Sequence, residues 1–297
     1  MAAPLLVMVC GPNGSGKSTL TNALRAAAGV QLPKTYINAD DIQRERQIEP
    51  ASAQQAAAEW RAQAIAGRRD VMYETVMSHP SKVSELQLAK AAGFRIAVHA
   101  VATEDPAINV QRVALRVAAG GHDVPEERTR QRYARTMALL PAAIGYADEA
   151  LAFDNSARGD EGGLKLQAQI VDGRLVLATD RPAAWVAQLV ARVEERRIEA
   201  EQIRHVAEAR ALTLQAADLH RGRSQGPIEF AGRHFVLQQD LVRQVHVLHD
   251  RLLLPATMPL LRGAHVLVAY SEGVSVVDVL GPVRHRPRAS DHSPSGE

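Results

Sequence analysis

Cysteine is all but absent from this sequence: Cys10 is the only one in 297 residues, so no internal disulfide exists and a small buried residue is the expected reading. Nor does any apolar run approach the ~20 residues needed to span a bilayer, which excludes a helical membrane anchor. The early run Leu5 to Cys10 is too short for a signal-peptide core and follows no basic leader, so a cytosolic protein is expected. A strong net charge is missing too. Acids and bases balance to +2, and the bases are 30 arginines against 5 lysines with no concentrated basic run. Nucleic acid is therefore not the expected partner, and a polynucleotide kinase, which needs a basic groove, is disfavoured. With 46% hydrophobic residues, the chain still has ample material for a core.

What is present is concentrated near the start. Gly11-Pro12-Asn13-Gly14-Ser15-Gly16-Lys17-Ser18 is a full G-x-x-x-x-G-K-S pattern directly after Leu5 to Cys10. It predicts a strand, a phosphate-cradling loop and a helix. Glycines let backbone N–H groups turn inward around phosphate oxygens, and the helix start adds its unpaired donors and the positive end of its dipole. On this reading Gly11, Asn13, Gly14, Ser15 and Gly16 hold phosphate, and Lys17 reaches the β- and γ-phosphates of ATP. Ser18 places its hydroxyl on Mg²⁺, with Thr19 as a further phosphate contact.

The loop alone does not separate a motor, a switch and a kinase. No N-K-x-D motif for guanine is found, and no apolar strand ends in the Asp-Glu pair of motors. Instead Asp40 follows a second strand expected at Thr35 to Asn38. A carboxylate there can take the proton of an acceptor hydroxyl while Mg²⁺ and lysine neutralise the moving phosphoryl group. A magnesium-shell or helix-capping role is the competing reading for Asp40, and Asp41 is the weaker candidate base.

Strand and helix then alternate: helices at Ser18 to Ala28 (Gly29 as cap), Ser52 to Ile65 (capped by Ser52) and Ser81 to Ala92, strands at Asp70 to Tyr73 and Arg95 to Ala102. This predicts an α/β fold, a parallel P-loop-type sheet wrapped by helices. Glu74 and Thr75 stand at a strand end, where a carboxylate can hold substrate hydroxyls or orient a metal-bound water, or remain a solvated loop residue. Arg112 and Arg116 lie four apart on a helix from Asp105 to Ala118 and suit the charge of a transferring phosphate, or a solvated face. The break from Gly120 to Pro125 presents His122, and an arginine-rich helix, Glu126 to Leu140, follows it; together they resemble a lid. Leu151 to Asp154 is the last strand of this part, with Asn155 and Ser156 after it.

A boundary is expected over Arg158 to Gly163, giving a domain at 1–158, an appendage at 164–281 and a disordered tail at 282–297. The appendage should open with a hairpin, Leu164 to Ile170 and Arg174 to Ala178, around Asp172-Gly173. One long helix or two over Pro182 to Ala217 carries a sparse apolar stripe suited to a partner or coiled coil. More strands are expected in Gly226 to Leu254 and Ala264 to Leu280. His246, His249 and Asp250 form H-x-x-H-D, but positions three apart on a strand face opposite sides, so structural histidines are expected rather than a metal set.

Taken together, Gly11 to Thr19, Ile37-Asn38-Ala39-Asp40, Tyr73-Glu74-Thr75, Arg116 through Pro125, Arg132-Tyr133-Ala134-Arg135 and Asp154-Asn155-Ser156 resemble the zeta-toxin-like P-loop kinases over about residues 4 to 157. The resemblance implies ATP- and Mg²⁺-dependent phosphorylation of a nucleotide sugar such as UDP-N-acetylglucosamine, in a toxin restrained by an antitoxin protein. It assigns Lys17 and Ser18 to the nucleotide and metal, Asp40 as base, Glu74 as a substrate contact and Arg112 as a phosphate-binding arginine. Where the family carries an arginine just before the lid proline this chain has His122, so Arg116 or Arg132 takes that part. The stretch Gly226 to Asp250 resembles the KfrB-type domain faintly, suggesting an interaction or autoinhibitory module. The alternative from another class is a nucleotide-controlled binding protein in plasmid maintenance.

Overall fold

The computed structural model describes residues 2–120, 124–157, 163–258 and 260–281. His122, most of the expected boundary segment and the tail from residue 282 lie outside the described residues. No helix among the described residues is long and apolar enough to cross a membrane.

The apolar run becomes β1 (Leu5–Cys10), and the sheet grows outward from it on both sides. β3 (Val71–Thr75) and then the two-residue β2 (Tyr36–Ile37) lie on one side; β4 (Arg95–Ala102) and β5 (Glu149–Asp154) lie on the other, all parallel. Leu6, Met8 and Cys10 enter one apolar cluster and Val7 and Val9 the opposite one. Both faces are covered, which is why the run is apolar without alternation. The covering helices are α1 (Lys17–Ala26), α2 (Ala39–Arg46), α3 (Pro50–Ala66), α4 (Ser81–Ala91), α5 (Pro106–Ala118) and α6 (Glu126–Gly145). Desolvation in β1 pushes the Cys10 thiol up to about 12, against the pull of Lys17, so it stays a protonated, inert core residue.

Several sequence expectations are corrected. α3 begins at Pro50 with Glu49 as its N-cap, so Ser52 is interior: proline supplies the helical φ and lacks a donor that would be orphaned there anyway. α1 closes at Ala27, short of Gly29. α6 continues through Pro141 to Gly145, because buried Leu140, Ala142, Ala143 and Ile144 hold the turn that proline weakens. The hairpin forms as β6 (Lys165–Val171) and β7 (Arg174–Ala178), yet it pairs antiparallel with β5 and completes a seven-stranded sheet instead of opening the appendage.

The long helix is single, α7 (Ala184–Ala209), and its stripe is not left for a partner. Trp185, Val186, Leu189, Val193, Ile203 and Ala207 are buried within the chain, and only Ile198 of the expected stripe is exposed. After it come β8 (Leu214–Ala216), β9 (Arg223–Ala231), β10 (Phe235–Asp240), β11 (Val245–Asp250), β12 (His265–Ser271) and β13 (Val274–Gly281). They form a second sheet in the order β13-β12-β9-β10-β11-β8. Ile228, Val236, Val247 and Val266 of this sheet share one continuous apolar cluster with Leu6, Leu86 and Leu140. The second sheet is thereby packed onto the first unit through α4, α6 and α7.

H-x-x-H-D resolves as packing. His249 is buried, with Nδ1 2.9 Å from the Tyr270 hydroxyl and Nε2 3.0 Å from Gln238 Oε1, and burial pushes it down to about 3. His246 meets Glu229 at 3.3 Å instead. Among the described residues no group of three His, Cys, Asp or Glu could hold a metal. Asp250 is the keystone of the junction: its buried carboxylate accepts from Arg196 at 2.6 Å, from Tyr146 at 3.0 Å and from the Leu252 amide at 3.0 Å. Asp250→Ala leaves the Arg196 guanidinium charged and buried, and is expected to cost about 3–5 kcal/mol. Urea unfolding of the full chain checks this; an unmoved midpoint contradicts it.

Candidate active site at the phosphate loop

The loop's shape follows from its glycines. Gly14 and Gly16 sit at φ +74° and +102°, and a Cβ on Gly16 would lie 2.3 Å from Asn155 Nδ2. Two asparagines grip the loop from beneath. Asn109 Nδ2 donates to the Asn13 carbonyl at 2.6 Å, and Asn155 Nδ2 donates to the Ser15 carbonyl at 2.8 Å. The loop is thus fixed from outside as well as by its own turn, which keeps its outward face pre-shaped for phosphate.

Lys17 follows in the first turn of α1. Its Nζ donates to the carbonyls of Gly11 (3.0 Å) and Pro12 (2.9 Å), bending across the loop mouth. Burial pushes its pKa down to about 8, while Glu74 and Asp40 resist the fall. Ser18 Oγ donates to Glu74 Oε2 at 3.0 Å, and Tyr36 donates to Glu74 Oε1 at 2.7 Å. Asn38 Nδ2 donates to the Tyr36 hydroxyl at 2.9 Å, and Asn38 Oδ1 accepts the Asp40 amide at 2.9 Å. One hydrogen-bonded chain therefore runs Ser18–Glu74–Tyr36–Asn38–Asp40. The register of β1 against β3, with Val9 opposite Glu74 and Cys10 opposite Thr75, brings Glu74 to the loop.

The neighbouring aspartates differ in their local surroundings. Asn38 caps α2, so Asp40 is released from that duty, and Asp41 turns away to pair with Arg44. Asp40 lines a cleft of about 710 Å³ and Asp41 does not. Asn13, Gly14, Gly16, Lys17, Ser18, Thr19, Glu74, Thr75, Arg116 and Arg132 share that cleft. Gly11 and Ser15 are buried in the loop's base. Arg112 does not join them. One turn back along α5 from Arg116, its guanidinium reaches the Ala157 carbonyl at 3.4 Å, on the side of the loop after β5.

The cleft also holds cations that sequence reasoning missed. Arg128 stands one turn before Arg132 on α6, and burial together with Arg128 and Arg135 lowers the Arg132 pKa. Across the cleft, Arg61 of α3 is buried yet polar, donating to Glu85 at 2.7 Å and lying over the Tyr73 ring. Lys82 joins the same carboxylate at 3.2 Å; burial would raise the Glu85 pKa, but Lys82 and Arg61 hold it below the ordinary value. Arg61 and Lys82 sit in helices expected only to wrap the sheet, so neither was singled out from the sequence. The loop asparagines had a partial signal, since Asn155 follows a strand end.

A relative from Haemophilus influenzae, described as an uncharacterized protein, is 27% identical over 127 residues, spanning 43% of this chain and 91% of its own length. Among solved structures, the AvrRxo1-ORF1:ORF2 complex with ATP is similar at 15% identity and a TM-score of 0.46. The match covers 64% of this chain and 64% of that one, so the present chain spans less than two thirds of that neighbour. A chain of the PezAT chromosomal toxin-antitoxin system of Streptococcus pneumoniae is similar at 11% identity and a TM-score of 0.39, over 67% of this chain and 88% of that one. Residues 1–142 match the model of the Zeta toxin family, the family that the motifs of this half resemble.

Proposed function

We propose that this protein is an ATP- and Mg²⁺-dependent phosphotransferase of zeta-toxin type, acting in the cytosol on a hydroxyl of an anionic acceptor of the nucleotide-sugar class. The observation that carries the reading is the hydrogen-bonded chain from Ser18 through Glu74 to Asp40 beside Lys17, in one cleft with Arg116 and Arg132.

In this reading the loop amides and Lys17 hold the β- and γ-phosphates. Magnesium fits the oxygen donors present: Ser18 Oγ and the Glu74 carboxylate stand 3.0 Å apart, and this ion takes few protein ligands beside phosphate and water. Bound there, it supplies neutralisation of phosphate charge. Glu74 orients Ser18 and is itself oriented by Tyr36. Asp40 takes the proton of the acceptor hydroxyl as the oxygen attacks, and Lys17 and Arg116 stabilise the charge on the transferring group. Arg128, Arg132 and Lys82 give the cleft the sign suited to an acceptor bearing phosphates.

The acceptor class is tested by offering ATP and Mg²⁺ with UDP-sugars and, separately, with the corresponding uncharged sugars, Lys17→Ala serving as blank. Phosphorylated UDP-sugar by mass is the expected product. Transfer to uncharged sugars alone contradicts the anionic acceptor. The family resemblance also supports an antitoxin protein as partner, and residues 164–281 are proposed to act as an interaction or autoinhibitory appendage.

A further inference from the structure

The N-terminal turn of α7 lies beyond the segment that matches the family model, yet it reaches the phosphate loop through two routes. Trp185 is 5% exposed, and its indole Nε1 donates to Asp154 Oδ1 at 2.8 Å. Asp154 also accepts from the Ser156 amide at 3.0 Å and the Ser156 hydroxyl at 2.7 Å. That shapes the turn from which Asn155 donates to the Ser15 carbonyl. One residue earlier, the Ala184 amide donates to Glu104 Oε1 at 3.2 Å. Glu104 in turn donates its own amide to Ser156 Oγ at 2.8 Å, and its neighbour Thr103 bonds Asn109, which holds the Asn13 carbonyl. Asn155 thus stands on the turn after β5 that Trp185 braces, while Asn109, in the first turn of α5, is reached from Ala184 through Glu104 and its neighbour Thr103.

We propose that the first turn of α7 is part of the nucleotide site, with Trp185 as a positioning residue that fixes the phosphate loop through Asp154 and Asn155. The inference rests on the reading of this site as ATP-binding. Little slack exists in the route: the Asn155 amide lies so close to Gly16 that a Cβ could not fit between them. Asp154 is 8% exposed, so loss of the indole donor leaves a nearly buried carboxylate short of a partner and loosens the turn that carries Asn155. The loop meets phosphate in ground and transition states alike, so the effect belongs on ATP affinity more than on turnover.

The test is calorimetric titration of ATP·Mg²⁺ into the full-length protein. Trp185→Phe keeps an aromatic ring, though a smaller one, and removes the donor; it is expected to weaken ATP binding about tenfold while turnover at saturating ATP holds. Ala184→Pro removes the other donor at a position where helices accept proline, and is expected to weaken binding by a smaller factor. Asn155→Ala should weaken binding as well, and the double variant with Trp185→Phe should be no worse than Asn155→Ala alone. Additive losses, or wild-type affinity in Trp185→Phe, overturn the proposal. A wild-type chain that binds no ATP would overturn the nucleotide reading instead; amide exchange then decides, with faster exchange of residues 13–17 in Trp185→Phe expected and unchanged protection refuting the route.

Discussion

Lys17→Ala is expected to reduce phosphoryl transfer by at least about 10²–10³-fold and to weaken ATP binding, because it removes an ammonium bent over the loop mouth. The Lys17 Nζ lies on the carbonyls of Gly11 and Pro12, while Arg116 enters the cleft from α5. The lysine also brings a pH dependence with a definite sign. Burial lowers its pKa to about 8 in the ligand-free protein, so the ammonium form predominates at neutral pH and is lost as pH rises through that value. ATP affinity should therefore fall above about pH 8 in the wild type and show no such fall in Lys17→Ala. A flat wild-type profile across that range would mean that the Lys17 pKa is not depressed by its burial.

Asp40→Asn carries the other large effect, and it separates the two functional readings. The substitution keeps shape and removes basicity; turnover is expected to drop about 10²–10⁴-fold while ATP binding is retained. The cap on α2 survives, since Asn38 and not Asp40 supplies it, so a folding defect is not the expected cause of any loss. A nucleotide-controlled switch would be nearly indifferent to the change. Turnover and ATP titration on the same preparation distinguish these outcomes, and full transfer by Asp40→Asn removes Asp40 as base. Asp41→Asn is the control, since Asp41 faces Arg44 outside the cleft.

The sheet was legible because its strands are short apolar runs, each ending where a chemically distinctive residue begins: Gly11 after β1, Glu74 at the end of β3, Asn155 after β5. Periodicity and glycine punctuation suffice for that. What they do not encode is which element covers which. The hairpin of β6 and β7 has the turn chemistry of an independent unit, yet its place is decided by backbone pairing with β5. The stripe on α7 is too sparse to identify its occupant, because the surfaces that fill it come from α6, β7 and the second sheet. For the same reason Arg61 and Trp185 were invisible as site residues. Their roles arise from contacts across 24 residues for Arg61 and Glu85, and 31 for Trp185 and Asp154, distances at which no local pattern speaks. Spacing puts Arg112 on one helical face with Arg116, one turn apart along α5; in the structure Arg116 lines the cleft while the Arg112 guanidinium reaches the Ala157 carbonyl.

The central claim is that the loop, Lys17 and Asp40 transfer a phosphoryl group to a hydroxyl instead of only binding or hydrolysing ATP. The most direct measurement follows ADP, inorganic phosphate and phosphorylated acceptor together in one reaction of the full chain with ATP, Mg²⁺ and a UDP-sugar mixture. The account predicts one phosphorylated acceptor for each ADP, with free phosphate near background. ADP matched by free phosphate with no phosphorylated acceptor, or ATP bound and left intact, would contradict it.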